Sequence, residues 1–198
     1  IKNQNKNIVV GCKGIFENLI KIFIKVENSK GLFYKFTKVL ERSGLEVIDA
    51  NIFSSIDNTI AANTFITKFS HHDRKLNKSE LKELKKRIEK NFLNFNEIKD
   101  NQNRITNKKN SFEKVINITH SINKDKKRNL ITIETSDSFG LLSKIARVFF
   151  ENDVSIFSAR INTLGDRVED TFEIENFDHS LVEDKKIKNI VAVLEKVV

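Results

Sequence analysis

Apolar and polar residues alternate through Ile20, Lys21, Ile22, Phe23, Ile24, Lys25 and Val26, the two-residue period of a strand with one buried face. Directly afterwards Leu32, Phe33, Phe36, Val39 and Leu40 recur at helical spacing and stop near Gly44. Residues 45–56 and 59–69 then read as two strands around a turn at Asp57-Asn58, residue types that favour turns. Leu81, Leu84, Ile88 and Phe92 predict a second helix with a charged outer face. The same succession returns further along. Leu141, Leu142, Ile145, Val148 and Phe149 predict a helix, 154–164 and 167–175 a hairpin, and Ile187, Ile190, Val191 and Leu194 the buried side of a last helix. Ser180-Leu181-Val182-Glu183 has capping-box spacing at the start of that helix.

The two successions are one repeat. At an offset of 109, Ile22 meets Ile131, Gly31 meets Gly140, Leu32 meets Leu141, Val47 meets Ile156, Ala50 meets Ala159 and Ile52 meets Ile161. Past the next turn the offset is 107, and Phe65 meets Phe172. The two extra residues fall in a hairpin turn, where length changes are best tolerated. Residues 94–111 are polar and aperiodic and read as a mobile linker. In 112–122, Ile116, Ile118 and Ile122 stand at even spacing and predict a further strand. That strand could close the sheet of either copy, and the second copy, which stops at Val198 after its helix, has the greater need. The expected division is 1–17 connector, 18–93 first unit, 94–111 linker and 112–198 second unit with its preceding strand.

Length and composition narrow the class. The 198 residues, 39% apolar and 31% charged, suffice for two small cores. No apolar run is long enough for a membrane-spanning helix, no secretory signal opens the chain, and the single Cys12 fits a reducing, cytoplasmic setting. With no Met, Ile1 is not a translation start, so a fragment of a longer or processed protein is expected. Lys, Asn and Ile number 27, 23 and 25, and Pro is absent. Such a bias follows from AT-rich codons and accounts for much of the basic pI of 9.5. By segment the net charge is +2 over 1–20, +6 over 21–93, +5 over 94–129 and −5 over 130–198. A nucleic-acid binder concentrates positive charge on a folded face; here much of it sits in the linker, so no specific nucleic-acid partner is expected.

Each unit reads as strand, helix, strand, strand, helix with a glycine opening its first helix, and this resembles tandem ACT domains. The second copy is the more specific. Its Asp137-Ser138-Phe139-Gly140-Leu141-Leu142 loop, and its Ala159-Arg160-Ile161-Asn162-Thr163-Leu164-Gly165-Asp166-Arg167-Val168-Glu169-Asp170-Thr171-Phe172 hairpin, are similar to those of the bifunctional uridylyltransferase/uridylyl-removing enzymes that modify the PII nitrogen-regulatory protein. The resemblance implies an α+β fold of two ferredoxin-like (βαββαβ) ACT domains in tandem, pairing with each other, and glutamine as effector. It implies PII as partner through the parent enzyme, and catalytic domains outside this chain that would use UTP and Mg²⁺. No cofactor is expected in the fragment itself, and no metal site or catalytic residue. Lys30 and Phe139 stand where the family often has Pro before the loop glycine.

The loop chemistry has its own logic. A glycine turn running into a helix leaves unpaired N–H groups at the helix start, an anion site suited to an α-carboxylate. Asp137 could then take the ammonium group or cap the helix. Asp170 shares strand register with Val168, Phe172 and Ile174, so it faces the apolar side; it must find a partner there, in the neighbouring loop or in a ligand. Arg167 pairs with an acid or lies in solvent. The expected effector site is Asp137, Ser138, Phe139, Gly140, Leu141 and Asp170, with a weaker counterpart at Asn28, Ser29, Lys30, Gly31, Leu32 and Asn63, where amides replace the two acids. His71-His72-Asp73 lacks the convergent ligands a metal needs, and Cys12 reads as inert. An amino-acid-binding regulator of another enzyme, a stand-alone ACT protein and an RRM-like RNA module share this strand and helix order. The last needs aromatics on the outer face of the central strands, and Val168 to Glu175 offers only Phe172.

Overall fold

The computed structural model describes residues 8–53, 55, 57, 59–69, 74–95, 116–123, 125 and 127–198. Its first sheet holds β1 (Val9–Phe16), β2 (Leu19–Glu27), β3 (Leu45–Asn51) and β4 (Ile60–Phe69), antiparallel and in the order β1-β2-β4-β3. Ile20, Ile22, Ile24 and Val26 of β2 are buried while Lys21, Phe23 and Lys25 face out. Helices α1 (Leu32–Arg42) and α2 (Lys78–Leu93) cover the buried face. Phe36 lies between Phe65 and Phe92, with ring centroids 6.0 and 5.6 Å away.

The second sheet repeats the plan with β5 (Asn117–Asn123), β6 (Arg128–Ser136), β7 (Val154–Arg160), the two-residue β8 (Thr163–Leu164) and β9 (Arg167–Asn176). Its order is β5-β6-β9-β7, with β8 on β9, under helices α3 (Leu141–Glu151) and α4 (Asp184–Val197). The repeat register holds in detail: Ile22 pairs with Phe65 across β2 and β4, and Ile131 with Phe172 across β6 and β9. Both copies share one register shift at equivalent positions, between Val47 and Asp49 in β3 and between Ile156 and Ser158 in β7.

The fold is the expected α+β pair of ferredoxin-like units, with one difference in where the outer strand of the first comes from. It precedes the first unit, just as the strand expected within 112–122 precedes the second. Residues 9–16, expected as connector, are β1, hairpinned onto β2 through Glu17, whose φ is 41°. Likewise β5 closes the second sheet by pairing with β6. The capping box expected at Ser180 is absent. The Ser180 hydroxyl and N–H both bond the Asp178 carboxylate, at 2.6 and 3.0 Å, and α4 starts later, at Glu183, with no side-chain cap. A capping box does exist on α2, between Asn77 and Glu80. Residues 96–111 of the expected linker, 112–115 of the expected strand and His71-His72-Asp73 lie outside the described residues.

The two domains meet through α1 against α3 and β3 beside β7, which are equivalent elements of the repeat. Contacts across this seam are reciprocal. Tyr34 of α1 stacks on Phe150 of α3 with centroids 5.8 Å apart. At the equivalent positions, 109 residues on and back, Ser143 of α3 donates a hydrogen bond to Glu41 of α1.

Candidate functional site

Both glycine turns are built alike. Gly31 and Gly140 have φ of 70° and 79°, a region that costs any residue with a Cβ about 1–2 kcal/mol. Lys35 N–H bonds Gly31 O at 2.9 Å and Lys144 N–H bonds Gly140 O at 3.1 Å, so each glycine starts its helix. The strands that lead in are anchored identically, Asn28 N–H to Thr59 O and Asp137 N–H to Asp166 O, each at 2.8 Å. Neither helix takes a side-chain cap or carries an acid in its first turn. Asp137 therefore does not cap α3, and the positive end of each helix dipole is left for something else.

Each turn opens on the wall of the other domain, so two clefts lie along the seam. The Gly31 cleft encloses about 490 Å³, a volume typical of small-molecule sites. The first copy supplies Asn28, Ser29, Gly31, Leu32 and Asn63; the second supplies Phe150, Phe157, Arg128, Glu175 and His179. Glu175 is buried, yet Arg128 Nε bonds its Oε2 at 2.7 Å and His179 Nδ1 lies 2.6 Å from its Oε1. The Arg128 guanidinium also rests 3.4 Å from the centroid of Phe157. An ion pair braced on an aromatic ring is rigid, and such a group can read a polar ligand without reorganising.

The Gly140 cleft is nearly full, at about 40 Å³. Asp137, Ser138, Gly140, Leu141 and Asp170 line it from the second copy, and Glu41, Glu46 and Lys68 from the first. Burial raises the Asp137 carboxyl above its usual range, and neighbouring Glu46 raises it further. Burial pushes Asp170 up to about 7, against a hydrogen bond from Asn162 N–H and with a smaller push from Asp137. Asp170 Oδ1 accepts that bond at 3.2 Å. Its counterpart Asn63 accepts from Phe53 N–H at 3.1 Å. The same clamp on the hairpin is thus made once by an amide and once by an acid. The neighbouring loop is therefore one partner of Asp170.

The expected effector residues divide between the two clefts, except that Lys30 and Phe139 are not among the lining residues of either. Lys30 instead holds its ammonium 4.2 Å from the Phe177 ring centroid. Arg167 forms an exposed ion pair with Glu134 at 2.6 Å. Sequence reasoning missed the far walls: Glu41, Lys68, Phe150 and Glu175. The repeat offset was the available signal, since it equates Glu41 with Phe150 and Lys68 with Glu175 and so marks two positions where the copies differ in charge. Cys12 is half-buried, and burial pushes its thiol up to about 11, which keeps it protonated and unreactive at neutral pH. Among the described residues no cluster of three or more His, Cys, Asp or Glu could hold a metal ion, and no helix is long and apolar enough to cross a membrane.

No protein-family model matches the chain. Its curated homologues are bifunctional uridylyltransferase/uridylyl-removing enzymes. That of Psychrobacter sp. (strain PRwf-1) is 26% identical over 175 residues, 88% of this chain, and that of Acinetobacter baumannii (strain AYE) is 26% identical over 178 residues, 87% of this chain. The chain spans 19% of the length of each. Among solved structures, aspartate kinase from Synechocystis aligns with 90% of this chain and 26% of its own, at TM-score 0.47 and 12% identity. An unknown protein from Galdieria sulphuraria aligns over 92% of both chains at TM-score 0.29 and 13% identity.

Proposed function

We propose that the chain is the amino-acid-sensing regulatory region of a PII-protein uridylyltransferase/uridylyl-removing enzyme, that its effector is glutamine, and that the effector enters the Gly31 cleft. The observation that carries this is the 490 Å³ cleft between a glycine-opened helix start and a buried, braced ion pair. The N-terminus of α1, which takes no side-chain cap and has no acid in its first turn, suits an α-carboxylate. Among the polar groups lining the same cleft, Asn28 and Glu175 suit the side-chain amide and the ammonium group. The similarity to uridylyltransferase/uridylyl-removing enzymes over 88% of the chain supports that choice of parent.

Because the cleft takes a wall from each domain, a ligand there has different affinity for different placements of the two domains. That is the free-energy basis for passing a signal to attached catalytic domains. Bound glutamine would favour uridylyl removal from PII. Uridylyl transfer and its reversal would be carried by parts of the parent outside this chain.

Isothermal titration tests the reading. Glutamine should bind more tightly than glutamate or asparagine, and Asn28→Ala should weaken it about tenfold, the scale of one hydrogen bond to a charged group. Clear heat with another amino acid and none with glutamine would remove the sensing assignment. Loss of binding in folded Asp137→Asn, with Asn28→Ala unaffected, would move the ligand to the Gly140 cleft.

A further inference from the structure

We propose that Glu41 decides which of the two equivalent clefts accepts a free carboxylate, because its own side chain already occupies the carboxylate position at Gly140. The inference rests on the reading above that the glycine-opened helix starts are the carboxylate ends of the clefts. A Cβ on Gly140 would meet Glu41 Cδ at 3.0 Å and Oε2 at 3.1 Å, so the Glu41 carboxylate lies directly against the turn. The Ser143 hydroxyl of the first turn of α3 donates to Glu41 Oε2. Lys38 Nζ fixes the other oxygen at 2.9 Å. An intramolecular carboxylate thus stands where a ligand's would, and the space left is about 40 Å³. It is supplied in trans, from α1 of the first domain to α3 of the second, and provides the negative charge that the first turn of α3 lacks.

The other cleft is the internal control. The residue equivalent to Glu41 is Phe150, and its ring sits against Gly31 as Glu41 sits against Gly140. A ring brings no negative charge to α1, whose first turn holds no acid. Surroundings reinforce the contrast. The Gly140 cleft holds Glu46, Asp137 and Asp170 besides Glu41, with Lys68 as the cation among its lining residues, so a second carboxylate entering there meets repulsion as well as a steric block. The internal carboxylate also needs no translational entropy to bind, an advantage a free ligand must overcome.

Removing the plug should open a second site. In the 198-residue chain, L-glutamine should bind once; in Glu41→Ala it should bind twice, and in Glu41→Gln a weaker second event should appear, since the amide keeps the shape but loses the charge. Sodium acetate supplies a probe independent of glutamine. It should raise the Tm of Glu41→Ala saturably, by about 2 °C or more beyond its effect on wild type, against a sodium chloride control, with Glu41→Gln between the two. Phe150→Glu is the converse variant and should weaken glutamine binding at least about tenfold by placing a carboxylate at Gly31.

Two glutamines bound by wild type would overturn the proposal, as would an equal acetate response in wild type and Glu41→Ala, or none in the latter. If Glu41→Ala does not fold, an unchanged single site in Glu41→Gln overturns it. Acetate rescue without glutamine binding to any form would leave the plug standing and defeat the glutamine assignment. Glutamine binding to wild type with no second site and no rescue would defeat the plug alone.

Discussion

Asp170 is an acid in a place where the other copy uses an amide, and the exchange has a measurable cost. Folded, it holds its proton up to about pH 7 because burial disfavours the anion; unfolded, it releases the proton near 4. Between those values the folded state binds more protons, so stability falls as pH rises through that window and is level above it. Asp170→Asn keeps an oxygen to accept from Asn162 N–H, as Asn63 does from Phe53 N–H. The variant should be more stable than wild type at pH 8 by about 2–4 kcal/mol and nearly equal to it at pH 4, as read by urea melts at both values. A constant difference across the range would mean that Asp170 is ionised throughout. Asp137 is also raised by burial, and it adds to the same slope.

At the scale of elements, the last helix is fixed less by its own start than by a residue distant in sequence. Buried Asn129 on β6 accepts from Val182 N–H at 2.8 Å and donates to Val182 O at 3.3 Å, while its Nδ2 lies 3.1 Å from His120 Nε2 on β5. One side chain therefore ties the closing strand, the central strand and the approach to α4. Asn129→Ala should cost about 2–3 kcal/mol, since it strands two buried backbone groups; denaturant melts measure it. The Ser180 box was misread for a related reason. Spacing identifies a possible cap, but Asp178 two residues away competes for the same hydroxyl and N–H, and a local turn won. Strands and helices were legible because Ile20 to Val26 and Leu141 to Phe149 carry unmistakable periods and recur at a fixed offset. Residues 9–16 were not, because Val9, Gly11 and Lys13 alternate with Val10, Cys12 and Gly14; glycine twice in eight positions weakens the pattern of a strand that its partner β2 nonetheless holds.

Across the whole molecule, the glycine turns were legible and their opposite walls were not, because a wall residue such as Phe150 reads in sequence as one more apolar position on a helix. Its effect is testable. A methyl on Gly31 would overlap the Phe150 ring, so Gly31→Ala should lose about 1–2 kcal/mol from its backbone angle and a further ~1–3 kcal/mol from crowding. In a Phe150→Ala background only the first loss should remain, giving a coupling of about 1 kcal/mol or more in a double-mutant cycle; strictly additive losses would separate the ring from the turn. In the second copy the RNA-module alternative loses its footing too, since Phe172 is fully buried and the partly or fully exposed residues of β9 include Glu169 and Glu173. The crossed construction of the clefts has one more result. Either half alone carries a loop without its facing wall and a wall without its facing loop. Each cleft exists only where two copies of the unit face each other, and a substitution on α1 is inherited as a change in the cleft at the other domain's turn.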